Sequence, residues 1–262
     1  MAPPLLFVAL VGVLGLAVGS FLNVVIYRVP KQQSVIVPAS RCPSCETALR
    51  PWHNVPVLSW LALRGRCAFC ADSISARYPL VEAGTAVLFV AMMLRFGMHV
   101  ELPAYLFLVA VGLTLAMIDV DAQRLPNAIV LPSYVVAVSL LMPAGAVYGD
   151  WTSAVRALMA MAAMWLMYLV ITLAFPGSGF GNVKLAGLLG IYLGWLSWPT
   201  VAVGAFGGLL IAAVAGIFLA SAGRRLTIRP VPLGASMVTA AVLALFCTQP
   251  LAEWYSRIVG TA

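Results

Sequence analysis

The chain has 262 residues, 63% of them hydrophobic and 9% charged, with a formal net charge of +7 and a mean hydropathy of +1.04. That composition excludes a soluble globular domain and sets the expectation of an all-α polytopic membrane protein. Since a crossing helix needs about 20 apolar residues, about eight transmembrane segments are predicted.

In chain order these are Leu5 to Tyr27, Tyr78 to Phe96, Leu102 to Ile118, Ala128 to Val147, Val155 to Phe175, Leu185 to Trp198, Val201 to Ala220 and Val231 to Thr248. The first is expected to be a retained helix and not a signal peptide. No Lys or Arg precedes it, and Tyr27-Arg28 runs on into a loop without a small-residue cleavage site. The sixth is short for a crossing helix and is expected to tilt, lie at the interface or be half-buried.

Basic residues set the orientation. If the Arg28 to Arg77 loop faces the cytoplasm, all 15 Lys and Arg except Arg95, Arg156 and Arg257 fall on that side. The positive charge is therefore read as a topology signal, with anchoring to anionic membrane lipid at Arg224, Arg225 and Arg229 and no nucleic-acid footprint.

Between the first two segments lies an insert of about 50 residues rich in Pro, Arg, Ser and Cys. It carries Cys42-Pro43-Ser44-Cys45 and Cys67-Ala68-Phe69-Cys70, two CxxC knuckles 21 residues apart. Four thiolates in this pattern suit a tetrahedral structural zinc, and an insert this small cannot build a sufficient core without such a staple. Disulfides are the competing reading, but a cytoplasmic loop lies in a reducing compartment. Four sulfur ligands leave no open position, so the metal is expected to hold the loop and take no part in bond breaking. His53 is read as a surface or packing residue, and Cys247 as a buried free thiol. The expected organisation is thus a first transmembrane helix at 1–27, a cytoplasmic zinc insert at 28–77 and a transmembrane core at 78–262.

Few carboxylates can serve chemistry at the membrane face. Asp119 directly follows the apolar third segment, where an ionisable group is a functional-site candidate by default. Asp121, two residues on, should point elsewhere if the helix continues, as a solvated or capping acid. Pro126 suits the first turn of the next helix. Glu82 opens the second segment, where compensation of a helix N-terminus is the plain reading. Ser20 and Asn23, near the cytoplasmic end of the first segment, suit interhelical hydrogen bonding.

The run Gly177-Ser178-Gly179-Phe180-Gly181 is not a nucleotide loop. It reads GxGxG, no strand precedes it, and apolar segments flank it. Glycine there, as in the pairs Gly15 with Gly19, Gly190 with Gly194 and Gly204 with Gly208, lets backbones approach closely.

These motifs together resemble the bacterial type IV prepilin peptidases, aspartyl enzymes that act as leader peptidase and N-methyltransferase. The resemblance is carried, nearly end to end, by Gly19-Ser20-Phe21-Leu22-Asn23 through Arg28, the knuckles enclosing Asn54-Val55-Pro56-Val57-Leu58-Ser59-Trp60, and Leu63-Arg64-Gly65-Arg66-Cys67. It continues through Arg77-Tyr78-Pro79-Leu80-Val81-Glu82, Ile118-Asp119 to Pro126, and Gly179-Phe180-Gly181-Asn182-Val183-Lys184-Leu185. It implies cleavage of a short basic leader from type IV prepilin or pseudopilin precursors at the cytoplasmic face of the inner membrane. The new N-terminus, usually phenylalanine, would then be methylated with S-adenosylmethionine, whose binding residues no motif reveals.

By position, Asp119 matches the first catalytic aspartate, Asn182 stands where the second is expected, and Gly179, Gly181 and Lys184 support that second site. An amide cannot exchange the proton that an aspartyl dyad shares. The chain as written is therefore expected to be peptidase-inactive, most simply through a deliberate Asp-to-Asn change, with a naturally inactive relative as the other origin. A non-enzymatic membrane receptor or assembly factor for pilin-like helices is the alternative. A transporter is disfavoured, because its ionisable groups should lie near the bilayer midplane.

Overall fold

The computed structural model describes residues 3–37, 39–42, 44–175, 179–221 and 231–259, with side chains through residue 248. Arg224, Arg225, Arg229, Gly177, Ser178 and Pro43 lie outside the described residues, as does the side chain of Arg257. The chain divides into two compact units, Met1–Leu102 and Pro103–Ala262.

The first unit pairs α1 (Leu5–Arg28) with α3 (Arg77–Phe96), joined by the insert, which contains the short helix α2 (Leu58–Ala62). The two long helices touch through small residues. A Cβ added at Gly15 would lie 2.6 Å from Ala86 Cα, and one at Gly19 would lie 2.7 Å from Glu82 Cα. Asn23 Nδ2 donates to Tyr78 O at 3.1 Å, the interhelical bond expected of it.

The second unit consists of α4 (Leu102–Ala122), α5 (Asn127–Tyr148), α6 (Trp151–Ala174), α7 (Phe180–Leu196), α8 (Trp198–Ser221) and α9 (Leu233–Val259). Pro126 is the N-cap of α5 and Asn127 its first residue, so the proline lies just ahead of the first turn expected to hold it. Among the described residues six helices, α1, α3, α4, α5, α6 and α8, are long and apolar enough to cross a membrane. α7 and the apolar part of α9, Leu233–Thr248, are shorter.

The short sixth segment has a physical explanation. At 17 residues, α7 spans about 26 Å against a hydrocarbon thickness of about 30 Å. It is packed by α5, α6, α8 and α9, and every residue from Leu185 to Trp195 is buried. A helix surrounded by protein need not match the lipid.

Gly190 and Gly194 face α6, where a Cβ on Gly190 would sit 2.7 Å from Ala160 O. Arg156, read in the sequence only as a charge on the opposite face, closes the end of α7. Its guanidinium donates to Gly194 O at 2.7 Å, Trp195 O at 2.6 Å and Leu196 O at 3.0 Å, satisfying carbonyls that a helix end leaves open. Cys247 is exposed on α9, which corrects the expectation of a buried thiol: it falls on a side of the helix that no neighbour among the described residues covers.

Candidate active site and tetracysteine centre

Asp119 sits in the last turn of α4, which Gln123 closes in a left-handed conformation (φ 51°) while its N–H donates to Asp119 O at 2.9 Å. Two helical steps turn a side chain by about 200°. Accordingly Asp119 is buried, 6% exposed, whereas Asp121 is exposed.

The Asp119 carboxylate meets the N-terminus of α9. Oδ2 accepts the Ala235 N–H at 3.0 Å, and the Gly234 backbone bonds it as well. Open helix-start amides are suited to a carboxylate. Gly234 is glycine for lack of room, since a Cβ there would lie 2.9 Å from Asp119 Oδ2.

Asn182 lies in the first turn of α7, half-buried, its N–H donating to Gly179 O at 3.0 Å. Gly179 is the exposed N-cap. Gly181 packs on Leu125, whose Cβ would be 2.9 Å from an added methyl group. The same leucine's Cδ1 would be 3.2 Å from a Cβ on Gly234. Leu125 therefore brings the loop of Asn182 and the amide cradle of Asp119 to a common contact. Lys184 Nζ donates to Asn127 Oδ1 at 2.9 Å, and Tyr134 Oη donates to Lys184 O at 2.5 Å, so α7 is tied at its start to α5.

The sequence reading missed Leu125, Tyr134, Gly234 and Ala235. Pro232 followed by small residues at the head of an apolar run was the available signal of a helix start. Nothing in it named Asp119 as the partner.

In the first unit the two knuckles are copies of one turn. Cys42 N donates to Thr47 O and Cys67 N to Asp72 O, at 3.0 and 2.8 Å. Glu46 and Ala71, each following the second cysteine of its knuckle, both take positive φ. Bridges Arg41 to Ala48 and Arg66 to Ser73 clasp the two turns, and the Ser44 hydroxyl donates to the Asp72 carboxylate across them.

The four ligand atoms of Cys42, Cys45, Cys67 and Cys70 lie within 4.8 Å of one another. Cys42 Sγ and Cys70 Sγ are 3.8 Å apart, about the edge of a tetrahedron with Zn–S bonds of about 2.3 Å. Hydrogen bonds from Thr47 hold the Cys45 thiol down at about 6. Although the Asp72 backbone favours its thiolate, Cys70 is pushed up to about 12 by burial and the three other thiols. Such crowding resists four thiolates at once unless a cation joins them. His53 is not among the four. It packs edge-on against Trp52 and Phe69, with centroids 5.9 and 5.4 Å away, as a packing residue should.

Against this centre, with Cys42 and Cys67 in its wall, the first unit contains a cavity of about 890 Å³, whose lining also includes Ser20, Asn23, Arg28, His53 and Glu82. His53 Nδ1 is buried without a hydrogen-bond partner among the described residues. Glu82, read as a helix-dipole acid, lies beyond the first turn of α3, which has no acid, and is 9% exposed. Its Oε2 accepts the Val57 N–H at 2.7 Å, so it binds the insert.

Comparison with known proteins agrees with this layout. Residues 13–96 match the Bacterial Peptidase A24 N-terminal domain and residues 106–221 the Type IV leader peptidase family. The chain is similar to proteins named prepilin leader peptidase/N-methyltransferase. The one from Pseudomonas putida is 39% identical, covering 75% of this chain and 76% of the relative. That from Stutzerimonas stutzeri is 34% identical over 92% and 91%, and that from Pseudomonas aeruginosa 31% over 98% and 96%. No solved structure matches. With relatives this similar over most of both chains, the chain belongs to the type IV leader peptidase family.

Proposed function

We propose that this chain is a prepilin leader peptidase and N-methyltransferase of the bacterial inner membrane, with the insert and both polar stretches facing the cytoplasm and lipid around its helices. Its substrates are type IV prepilins or pseudopilins, and its peptidase dyad is Asp119 with position 182. The observation that carries the reading is Asp119 itself: a carboxylate buried at the end of an apolar helix, oriented by the amides of Gly234 and Ala235 and linked through Leu125 to the turn of Asn182.

In such a dyad one carboxylate takes a proton from water while the other protonates the scissile carbonyl or leaving amine. Asn182 can hydrogen-bond but cannot exchange that proton, so the chain as written binds precursor without turning it over. Gly179, Gly181 and Lys184 shape and anchor the turn that holds position 182.

The four cysteines fit a structural zinc. S-adenosylmethionine, which supplies the methyl group, is assigned to the cavity of the first unit. Its volume lies within the range of about 300–1,000 Å³ typical of ligand pockets, and His53 Nδ1 offers an unmet polar contact on its wall.

The receptor reading has one observation in its favour, Asn182. Substitution Asn182→Asp separates the two. The proposed enzyme regains cleavage of a prepilin in detergent or lipid, by at least about 1,000-fold. A folded Asn182→Asp protein that leaves the precursor intact overturns the dyad.

A further inference from the structure

Glu82 stands out on the wall of the first unit's cavity. Of the acids there, Glu46 is exposed. Asp72 is exposed too and engaged by the Ser44 hydroxyl and the Ser73 N–H. Glu82 alone is buried. Burying a carboxylate costs free energy unless its neighbours compensate it, and the chain here adds a second cost to hold it.

That second cost is backbone strain. Val57 takes φ 61° and ψ −48°, with Leu58 N donating to Pro56 O at 2.6 Å. This is the rare γ-turn, strained for any residue and most of all for a β-branched one. The turn delivers the Val57 N–H to Glu82 Oε2, and the Ser20 side chain bonds the same carboxylate from α1. Strain kept beside a buried polar group is characteristic of functional sites. A carboxylate has about four acceptor sites, so these two bonds orient Glu82 and leave it capacity for a ligand.

The chemistry that needs such a group is the receipt of an amine. We propose that Glu82 is the catalytic residue of methyl transfer, holding the N-terminal ammonium of the cleaved substrate and taking its proton. This rests on the assignment of the methyl donor to the same cavity. An α-amino group has a pKa of about 7.7–8.0 and is largely protonated at neutral pH, and the ammonium has no lone pair with which to attack. Transfer of one proton to Glu82 frees the pair. The N–C bond then forms as the S–C bond of the sulfonium breaks, and the bonding electrons pass to sulfur, leaving a neutral thioether. The secondary amine carries the positive charge formerly on sulfur, and Glu82 returns its proton to solvent.

The test uses the full chain as it stands, with a synthetic apolar peptide that begins in free phenylalanine and so bypasses cleavage. Without methyl donor, the parent should bind this peptide at least about 10-fold more tightly than its N-acetylated form. Glu82→Gln, which keeps an acceptor for Val57, should lose that preference. It should also lose methyl transfer by at least about 100-fold while binding S-adenosylmethionine as the parent does.

Transfer at the parent rate by Glu82→Gln, or an unchanged preference for the free amine, overturns the role of Glu82 alone. Loss of S-adenosylmethionine binding in this variant reassigns the carboxylate to the methyl donor and equally overturns it. Failure of the parent to bind S-adenosylmethionine overturns the cavity assignment and this role with it. Should Glu82→Gln not fold, Glu82→Asp decides: a raised KM for the peptide with residual transfer supports the role, and parent-like kinetics overturn it.

Discussion

Asp119 Oδ2 accepts the backbone N–H of Ala235 at 3.0 Å, joining residues 116 positions apart in the chain. The end of α4 and the start of α9 thereby become one structural element. The carboxylate sits against open amides at the start of a helix, which fixes its direction. Gly234, next to Ala235, leaves the space into which the carboxylate fits.

Substituting Gly234→Val should therefore displace Asp119. An added Cβ would fall 2.9 Å from Oδ2 and 3.2 Å from Leu125 Cδ1, and catalytic groups tolerate displacements of only a few tenths of an ångström. In the Asn182→Asp background, prepilin cleavage should drop by about 100-fold while the protein still elutes as a folded species. Cleavage at the Asn182→Asp rate would show that the cradle is dispensable.

The tetracysteine centre should hold about one zinc per chain, measurable by mass spectrometry of the purified protein. Removal by a strong chelator, or Cys67→Ser, should abolish that content and open the insert to trypsin at Arg41, Arg50, Arg64 or Arg66. Knuckles that stay protease-resistant without metal would mean that the insert's bonds, such as Trp60 Nε1 to Ile74 O at 3.0 Å, suffice to hold it.

Asp150 caps α6 by accepting from Thr152 N at 3.1 Å and Ser153 N at 3.3 Å. The hydroxyls of Ser153 and Thr152, then these amides, hold its carboxyl down at about 2 from 3.8. A depressed folded-state pKa stabilises the folded protein above the unfolded value, and that contribution disappears as pH falls through the folded one. The Tm difference between parent and Asp150→Ala should be full at pH 7, begin to shrink below about 4 and be smallest near 2. A difference constant across that range would detach the cap from the carboxylate's charge.

Much of this was legible before any coordinates. Apolar runs separated by polar breaks marked the helices, because a segment with no water to bond must satisfy its own backbone. Two CxxC pairs marked the metal-type centre, since four thiols grouped in a small insert have few other uses. Asp119 was visible because charge at the end of an apolar run is costly, whereas Asn182 was singled out only through the family resemblance of the Gly179 to Leu185 motif.

The partners of these residues were not legible. Gly234, Ala235 and Leu125 are ordinary apolar-helix residues, and only the approach of α9 to the end of α4 makes two of them an anion cradle and the third the link to Asn182. Arg156 likewise read only as a charge on the opposite face until the end of α7 arrived beside it. Glu82 read as compensation for a helix end until the γ-turn at Val57 brought an amide to it. Local periodicity and the cost of burying charge act on neighbours in the chain, so the sequence by itself determined the membrane class, the insert and the positions where chemistry is possible. Which amide meets which carboxylate depends on contacts between helices distant in the chain, and those were decided only by tertiary packing.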